Sequence, residues 1–274
     1  MIRTGASFLS WVVAVVAAVI TVPALWVATH VADEDGYVDF TRTFVDDTKF
    51  RNAIIATITD DVAEHGGIPA SLKPVVERAL RSVATRTAKQ PGFSEAWEKS
   101  ARRTHRLTFG PDADTDRLTA DIGPIAAFVG DQMTRDLPVR VAIPDKLLVP
   151  VYDAPDREVL EQVGKTPDRS RVGLLVVGVA SLLCLLFARR RINAVVGLGA
   201  GAVITGGVLL AGTGLALPEV LDRTPARTPF AREMRDLLVD RASDSLNQWL
   251  MWCLVVGGVV LVLALLGRAL PGRR

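Results

Sequence analysis

The sequence predicts a mainly α-helical protein with four transmembrane helices and a mostly helical extracytoplasmic domain that contains one or two short extended segments. Three features support this prediction. They are four uncharged apolar stretches, arginines beside them that have no neighbouring carboxylates, and apolar residues at every fourth position in the segments between them. Each stretch is close to the roughly 20 residues that a helix needs to cross about 30 Å of hydrocarbon. The stretches cover residues 6–27, 172–188, 193–217 and 249–267.

The distribution of arginine predicts the orientation of the four spans. Positive residues are retained on the cytoplasmic side, and acidic residues contribute little to the choice. Arginines without neighbouring carboxylates lie before the first span, between the second and third spans, and after the fourth: Arg3, Arg189, Arg190, Arg191, Arg268, Arg273 and Arg274. We therefore expect a multi-pass plasma-membrane protein with cytoplasmic N and C termini, although Arg169 and Arg171 mildly oppose this orientation.

This orientation divides the chain into five parts. A cleaved signal peptide is the alternative for the first span, because Arg3 precedes a long apolar run that ends before Ala32. An uncleaved anchor is favoured, since the run exceeds a typical h-region and Trp26 or His30 occupies a position where cleavage requires a small residue. The five parts are transmembrane helix 1 with a short cytoplasmic N-terminus (1–30), the extracytoplasmic helical domain (31–171), transmembrane helices 2 and 3 with a short cytoplasmic arginine turn (172–217), a second extracytoplasmic helical segment (218–248), and transmembrane helix 4 with a short cytoplasmic tail (249–274).

Four soluble helices are predicted in the domain 31–171. Their apolar residues recur at three- and four-residue intervals, which places them on one helix face. Asp46 or Asp47 is the expected N-cap of the first helix. The four apolar faces are Phe50, Ile54, Ile58 and Val62; Leu72, Val75, Val76, Ala79, Leu80 and Val83; Phe93, Trp97, Ala101 and Thr104; and Ile122, Ile125, Ala126, Val129 and Met133.

Beyond Pro138 the apolar period changes from four residues to two. Residues 139–143 and 147–151 alternate in this way, and both runs are bounded by proline, which favours short edge strands or extended segments. A short helix is expected to begin at Pro155 or Asp156. The linker 164–171 then leads into the second span.

Phe230, Met234 and Leu238 repeat the spacing of the first soluble helix, and both trios begin two residues after a threonine. Duplication of a span-plus-helix unit explains this likeness. Ordinary helical amphipathicity explains it as well, so both interpretations stay open.

A candidate anion-binding face lies on the third soluble helix, where four cations share one side: Lys99, Arg102, Arg103 and Arg106. Arginine forks match phosphate and carboxylate groups, including those of lipid heads or wall polymers. The alternative is internal neutralisation, because residues 33–64 carry nine acids and three bases, net −6, whereas residues 73–106 carry nine bases and three acids, net +6.

The third span is rich in small residues, which allow helices in lipid to pack closely. The candidate packing residues are Gly197, Gly201, Ala202, Gly206 and Gly207. They predict packing against the other spans, including the glycines at 178, 257 and 258, or alternatively a seam with a second copy.

Sequence motifs give little support to catalysis. The chain has no Gly-x-Ser-x-Gly elbow, no His-Glu-x-x-His pair and no phosphate-binding glycine loop with lysine. Asp61 and His65 lie one helical turn apart, but a metal site needs a third ligand that spacing does not supply. We therefore expect no catalytic residues, no metal, no cofactor and no nucleic-acid partner. Cys184 and Cys253 are predicted at different membrane depths, so no disulfide is expected.

Several phrases resemble uncharacterised membrane proteins of actinobacteria. They are the run Tyr37 to Arg42, the run Val45 to Asp47 and the proline-bounded end at Val149 to Val151. The resemblance extends loosely from the first span to the fourth. It implies a cell-membrane location and a helical outer domain, and it brings no catalytic residues.

Together these features favour an integral membrane protein that acts as a non-enzymatic binding or scaffolding module of the cell envelope. Its expected partners are the lipid bilayer and an envelope protein or an anionic lipid. One alternative is an accessory subunit of a transporter or cell-wall machine that docks through the third span. Another is a lipid- or small-molecule-binding ectodomain, which requires an apolar cavity near residues 139–151.

Overall fold

The structure is a computed structural model that describes residues 2–65, 71, 73–110, 117–136, 146–153, 157–223, 226 and 228–269. This part of the chain is mostly helical. Its main elements in order are α1 (Ile2–Val27), α2 (Glu34–Thr41), α3 (Thr48–His65), α4 (Lys73–Thr87), α5 (Pro91–Phe109), β1 (Arg117–Asp121), α6 (Gly123–Asp136), β2 (Leu148–Asp153), α7 (Arg157–Gly164), α8 (Thr166–Phe187), α9 (Arg191–Arg223) and α10 (Pro229–Ala269). A π-helical turn, Ala28–Ala32, follows α1, and a 3-10 helix, Arg42–Asp46, follows α2.

The chain separates into two compact units. Unit 1 comprises Met1–Thr29, Val163–Arg223 and Asp240–Arg274, and unit 2 comprises His30–Gln162 and Thr224–Val239. The boundary before α8 lies nine residues earlier than the predicted one at 171/172. The boundary at 239/240 places residues 240–248 with the apolar helices, whereas the sequence analysis assigned them to the second outer segment.

Unit 1 contains the apolar helices. Four helices are long and apolar enough to cross a membrane, in agreement with the four predicted spans. Many of their large apolar side chains are exposed, as on Leu175, Val208 and Leu263. Such surfaces suit contact with lipid, where helices satisfy their own backbone hydrogen bonds.

The helix α10 is continuous over 41 residues. It begins at Pro229, whose fixed φ suits a first helical position, and the Thr228 hydroxyl accepts a hydrogen bond from the N–H of Ala231 at 3.0 Å. No proline or glycine interrupts residues 230–256. The second outer segment and the fourth span, predicted as separate parts, therefore share one helix.

The four helices predicted within 31–171 are present as α3, α4, α5 and α6, and the expected short helix after Asp156 is α7. The carboxylate of Asp47 accepts the N–H of Phe50 at 2.9 Å, which is the expected cap of α3. The predicted stripe of α3 is buried, with Phe50, Ile54 and Ile58 fully inaccessible. On the predicted apolar face of α4, Val83 is buried and Val75 is 60% exposed, while the side chains of Leu72, Val76 and Leu80 lie outside the described residues.

An aromatic cluster forms the centre of unit 2. The ring of Phe50 lies 5.1 Å from that of Trp97 in an edge-on arrangement, 5.8 Å from Phe44, and stacks on Phe230 at 5.7 Å. Trp97 also donates its indole N–H to the Thr41 carbonyl at 2.9 Å, which satisfies its buried polar atom. The segment Thr224–Val239 thus completes a core that is otherwise built from His30–Gln162.

A two-stranded antiparallel sheet covers one part of this core. Ala120 of β1 pairs with Val149 of β2, and the register is irregular beside Pro150, which lacks an N–H to donate. The second predicted extended run is confirmed by β2. The strand β1 was not predicted, and the other predicted run, 139–143, lies outside the described residues.

Replacing Phe230 by alanine is expected to destabilise unit 2 by about 3–5 kcal/mol, because it removes a fully buried ring and leaves a cavity beside Phe50. Hydrogen exchange of the purified full-length chain, measured by mass spectrometry, should show faster exchange in α3. The control Leu175→Ala, at an exposed position of α8, should leave α3 unchanged. Equal protection of α3 in wild type and Phe230→Ala would contradict the closing role of Phe230.

Candidate functional site

The predicted anion-binding face lies on α5, in unit 2. Its cations follow the expected helical spacing, but the structure brings carboxylates to three of them. Lys99 is exposed, Arg102 and Arg106 bind α2, and Arg103 lies near β1. The internal neutralisation expected between segments 33–64 and 73–106 is therefore observed for Arg102 and Arg106, whereas Arg103 lies near Asp121, outside the acidic segment.

Glu34 is the centre of this charge cluster. Arg106 grips its carboxylate with two parallel hydrogen bonds, from Nε and Nη2, both 2.9 Å long. Arg102 donates from Nη1 to Asp35 at 2.6 Å and to Glu34 at 3.2 Å. Fork-shaped pairing of this kind fixes both the distance and the orientation of the partners. We call Glu34, Asp35, Arg102 and Arg106 the α2–α5 clamp.

The position of Glu34 at the start of α2 also favours its charge. Asp33 caps this helix by accepting the Gly36 N–H at 2.8 Å, and Glu34 and Asp35 occupy the first turn, where the helix dipole attracts anions. Hydrogen bonding from Arg106, and then from Arg102, lowers the pKa of Glu34 to about 2. The same contacts raise the pKa of both arginines.

Asp121 organises the end of β1. Its carboxylate is buried and accepts the N–H of Gly123 at 2.9 Å and that of Leu147 at 3.4 Å. Arg103 lies 3.6 Å from the other carboxylate oxygen. The residue therefore satisfies backbone groups between β1, α6 and the start of β2, and Arg103 partly balances its charge.

His105 lies beside the clamp and is 7% exposed. Its Nε2 is 3.1 Å from the Val31 carbonyl, in the π-helical turn. The imidazole packs between the rings of Tyr37, at 5.5 Å, and Phe109, at 4.9 Å. This contact was not predicted, because the sequence separates Val31 from His105 and offers no periodic signal that joins them.

The small residues of α9 fall into two groups. A Cβ on Gly206 would lie 2.8 Å from Leu254 Cγ, and one on Gly201 would lie 2.7 Å from Val15 Cγ2, so both glycines are packed inside unit 1. Ala202 contacts Gly257 in the same way, with its Cβ 2.7 Å from the added atom. Gly197 faces Trp11 at ordinary contact distance, whereas a Cβ on Gly207 would have open space.

One close backbone approach between α9 and α10 involves Gly199, which was not among the predicted packing residues. A Cβ on Gly199 would lie 2.8 Å from the backbone nitrogen of Leu261 and 3.1 Å from the Gly257 carbonyl. Backbone-to-backbone contact at this distance requires glycine. Of the three other glycines expected to pack, Gly257 does so, while Gly178 and Gly258 face open space.

An apolar cavity of about 510 Å³ adjoins these glycines within unit 1. Its lining includes Thr205, which is 3% exposed and whose hydroxyl has no hydrogen-bond partner among the described residues. Cys253 also lines it, and both cysteines are free thiols. Among the described residues, no group of three or more His, Cys, Asp or Glu side chains is placed to hold a metal ion.

No family model matches the sequence, and neither the curated proteins nor the solved structures contain a match. The resemblance to actinobacterial membrane proteins therefore stays a prediction.

Replacing Glu34 by glutamine is expected to lower the free energy of unfolding of unit 2 by about 1 kcal/mol at neutral pH, since solvent screens a partly exposed clamp. Folding lowers the pKa of Glu34 from 4.5 to about 2, so its contribution is complete above pH 4.5 and is lost as the pH falls towards 2. The stability difference between wild type and Glu34→Gln should shrink over this range.

Denaturant titrations of the full-length protein at several pH values, monitored by α5 hydrogen exchange, would measure this difference. Asp39→Asn provides the control, because Asp39 pairs with Arg42 at 3.0 Å while its side chain is 69% exposed. That variant should differ little from wild type. A difference for Glu34→Gln that stays constant from pH 5 to pH 2 would rule out the clamp as its source.

Proposed function

We propose that this protein is a non-enzymatic binding or scaffolding module of the cell envelope. In this proposal α1, α8, α9 and α10 cross the plasma membrane, both termini are cytoplasmic, and unit 2 lies on the outer side. The predicted outer domain, 31–171, then corresponds to the larger part of unit 2, and Thr224–Val239 supplies the remainder.

One observation carries the proposal: unit 2 has a closed aromatic core and a surface on which charges are already fixed in pairs. The clamp joins α2 to α5, and Arg42 of the 3-10 helix joins Glu98 at 3.1 Å. A surface whose side chains are held before binding loses less conformational entropy when a partner docks. Only Ala188, Arg189 and Arg190 separate α8 from α9, so that turn offers little surface for a folded partner.

A second candidate function is favoured by the open side of α9. Gly207, Ala211 and Gly214 follow at four and three residues, all are exposed, and neither glycine would contact anything if it carried a Cβ. Such a strip admits close approach of another apolar helix. An accessory subunit of a transporter or cell-wall machine would dock here, and not through Gly201 or Gly206, which unit 1 itself covers.

Photo-crosslinking in intact membranes tests the first function. A photoreactive residue at Lys99 or at Val75, both exposed in unit 2, should each capture the same envelope protein. The matched control is Leu182 of α8, exposed on an apolar helix, which should capture lipid. Lipid adducts alone at all three positions would contradict a protein-binding role of unit 2.

Leucine at position 207 tests the second function. If α9 docks a partner, Gly207→Leu should release that partner in native gels of mild detergent extracts, while the free protein keeps its thermal stability. Gly206→Leu should instead destabilise unit 1, because the new side chain meets Leu254. Retention of every co-migrating protein by the Gly207→Leu variant would remove the docking hypothesis.

A further inference from the structure

A second cavity in unit 1 lies at the end of the bundle that contains the arginine turn. It has a volume of about 560 Å³ and is formed by α1, α8, α9 and the turn between α8 and α9. Its polar lining comes from Thr4, Ser7, Arg189, Arg190 and Asn193, and its aromatic wall comes from Phe8 and Trp11. Cationic, hydrogen-bonding and aromatic groups therefore face one space.

The wall of this cavity is held in place by contacts between helices. Trp11 donates its indole N–H to the Gly197 carbonyl at 2.7 Å, which joins α1 to α9. Ser7 donates its hydroxyl to the Cys184 carbonyl at 2.9 Å, which joins α1 to α8. Phe8 stacks on Trp11 with ring centroids 5.8 Å apart. A ligand would thus enter a cavity whose aromatic wall is already formed.

The charge of this cavity is not balanced by the helices that form it. Arg189 and Arg190 are exposed and form no ion pair with the described residues. Residues 2–32 and 172–218 contain no Asp or Glu, and Asp168 lies about 30 Å away at the opposite end of α8, at 1.5 Å per residue. The N-terminus of α9 adds its positive dipole beside the arginines. The arginines of α5, by contrast, all have carboxylates nearby.

We propose that this cavity binds the phosphate headgroup of an anionic phospholipid. Arg189 and Arg190 would hold the phosphate, and Asn193 and Thr4 would donate to its ester or glycerol oxygens. Basic cavities between membrane helices are suited to such headgroups. Exposed apolar side chains on the helices that form the cavity favour a lipid over free phosphate. Phe8, which lines the cavity, Leu9 of α1 and Leu186 of α8 are more than half exposed and would contact its acyl chains.

Native mass spectrometry of the full-length protein in mild detergent tests this assignment. The probes are phosphatidylglycerol, phosphatidylcholine of the same chain length, and inorganic phosphate. Arg189→Gln and Arg190→Gln remove charges that line the cavity. Arg191→Gln removes an equal charge from the same arginine run at a position that does not line it. Thermal unfolding of each variant would check that unit 1 remains folded.

The expected result is preferential retention of phosphatidylglycerol, with affinity lowered on the order of tenfold by Arg189→Gln or Arg190→Gln, as for loss of a charge-assisted hydrogen bond. Arg191→Gln should change it less than about threefold. Equal losses in all three variants would indicate diffuse charge attraction and overturn the site. No preference for phosphatidylglycerol would also overturn it. Displacement of the lipid by millimolar phosphate would overturn the lipid assignment. These outcomes are independent of whether unit 2 captures a protein.

Discussion

The contact between Phe230 and Phe50 is the constraint on which unit 2 depends. Phe230 belongs to the start of α10, and Phe50 to α3, so the chain passes through α8 and α9 between the two halves of one core. The cost of joining distant segments grows only slowly with the length between them, whereas each buried ring contributes several kcal/mol. Unit 2 is consequently a product of two segments, and a fragment that ends before Thr224 lacks part of its centre.

The arginines of α5 and those of the turn between α8 and α9 differ in whether carboxylates lie near them. On α5 the arginines lie opposite an acidic segment, and the clamp lowers the pKa of Glu34 while using the donors of Arg102 and Arg106. Around the turn between α8 and α9, residues 2–32 and 172–218 contain no carboxylate side chain. The density of arginine alone predicts an anion-binding face on α5. The turn is the better candidate, because the donors of Arg189 and Arg190 form no ion pair with the described residues and remain available to an anion.

Much of the fold followed from periodicity, since α3, α5, α6 and the apolar helices are long enough to display it. The helix α2 was missed because acidic residues and Gly36 fill its first turn, whereas the equally short α7 was predicted. The strand β1 was missed because its register depends on a partner, β2, distant in the chain. Glycine content predicted close packing in α9, but which glycines are covered depends on the neighbours in space. The predicted packing residues therefore included Gly207, which faces open space, and omitted Gly199, which is closely packed. For the clamp, charge counts anticipated the pairing but not that Glu34 would be its centre.

The division of the unit 2 core between two segments has a consequence in time. A ribosome that adds about 5–20 residues per second needs roughly 10–40 s to proceed from Phe50 to Phe230. Throughout that interval α3 has been synthesised, but Phe230, whose ring stacks on Phe50, has not. In the proposed topology α8 and α9 insert into the membrane during this interval. Delayed insertion would then prolong the time for which the apolar surface of α3 is exposed to aggregation and proteolysis.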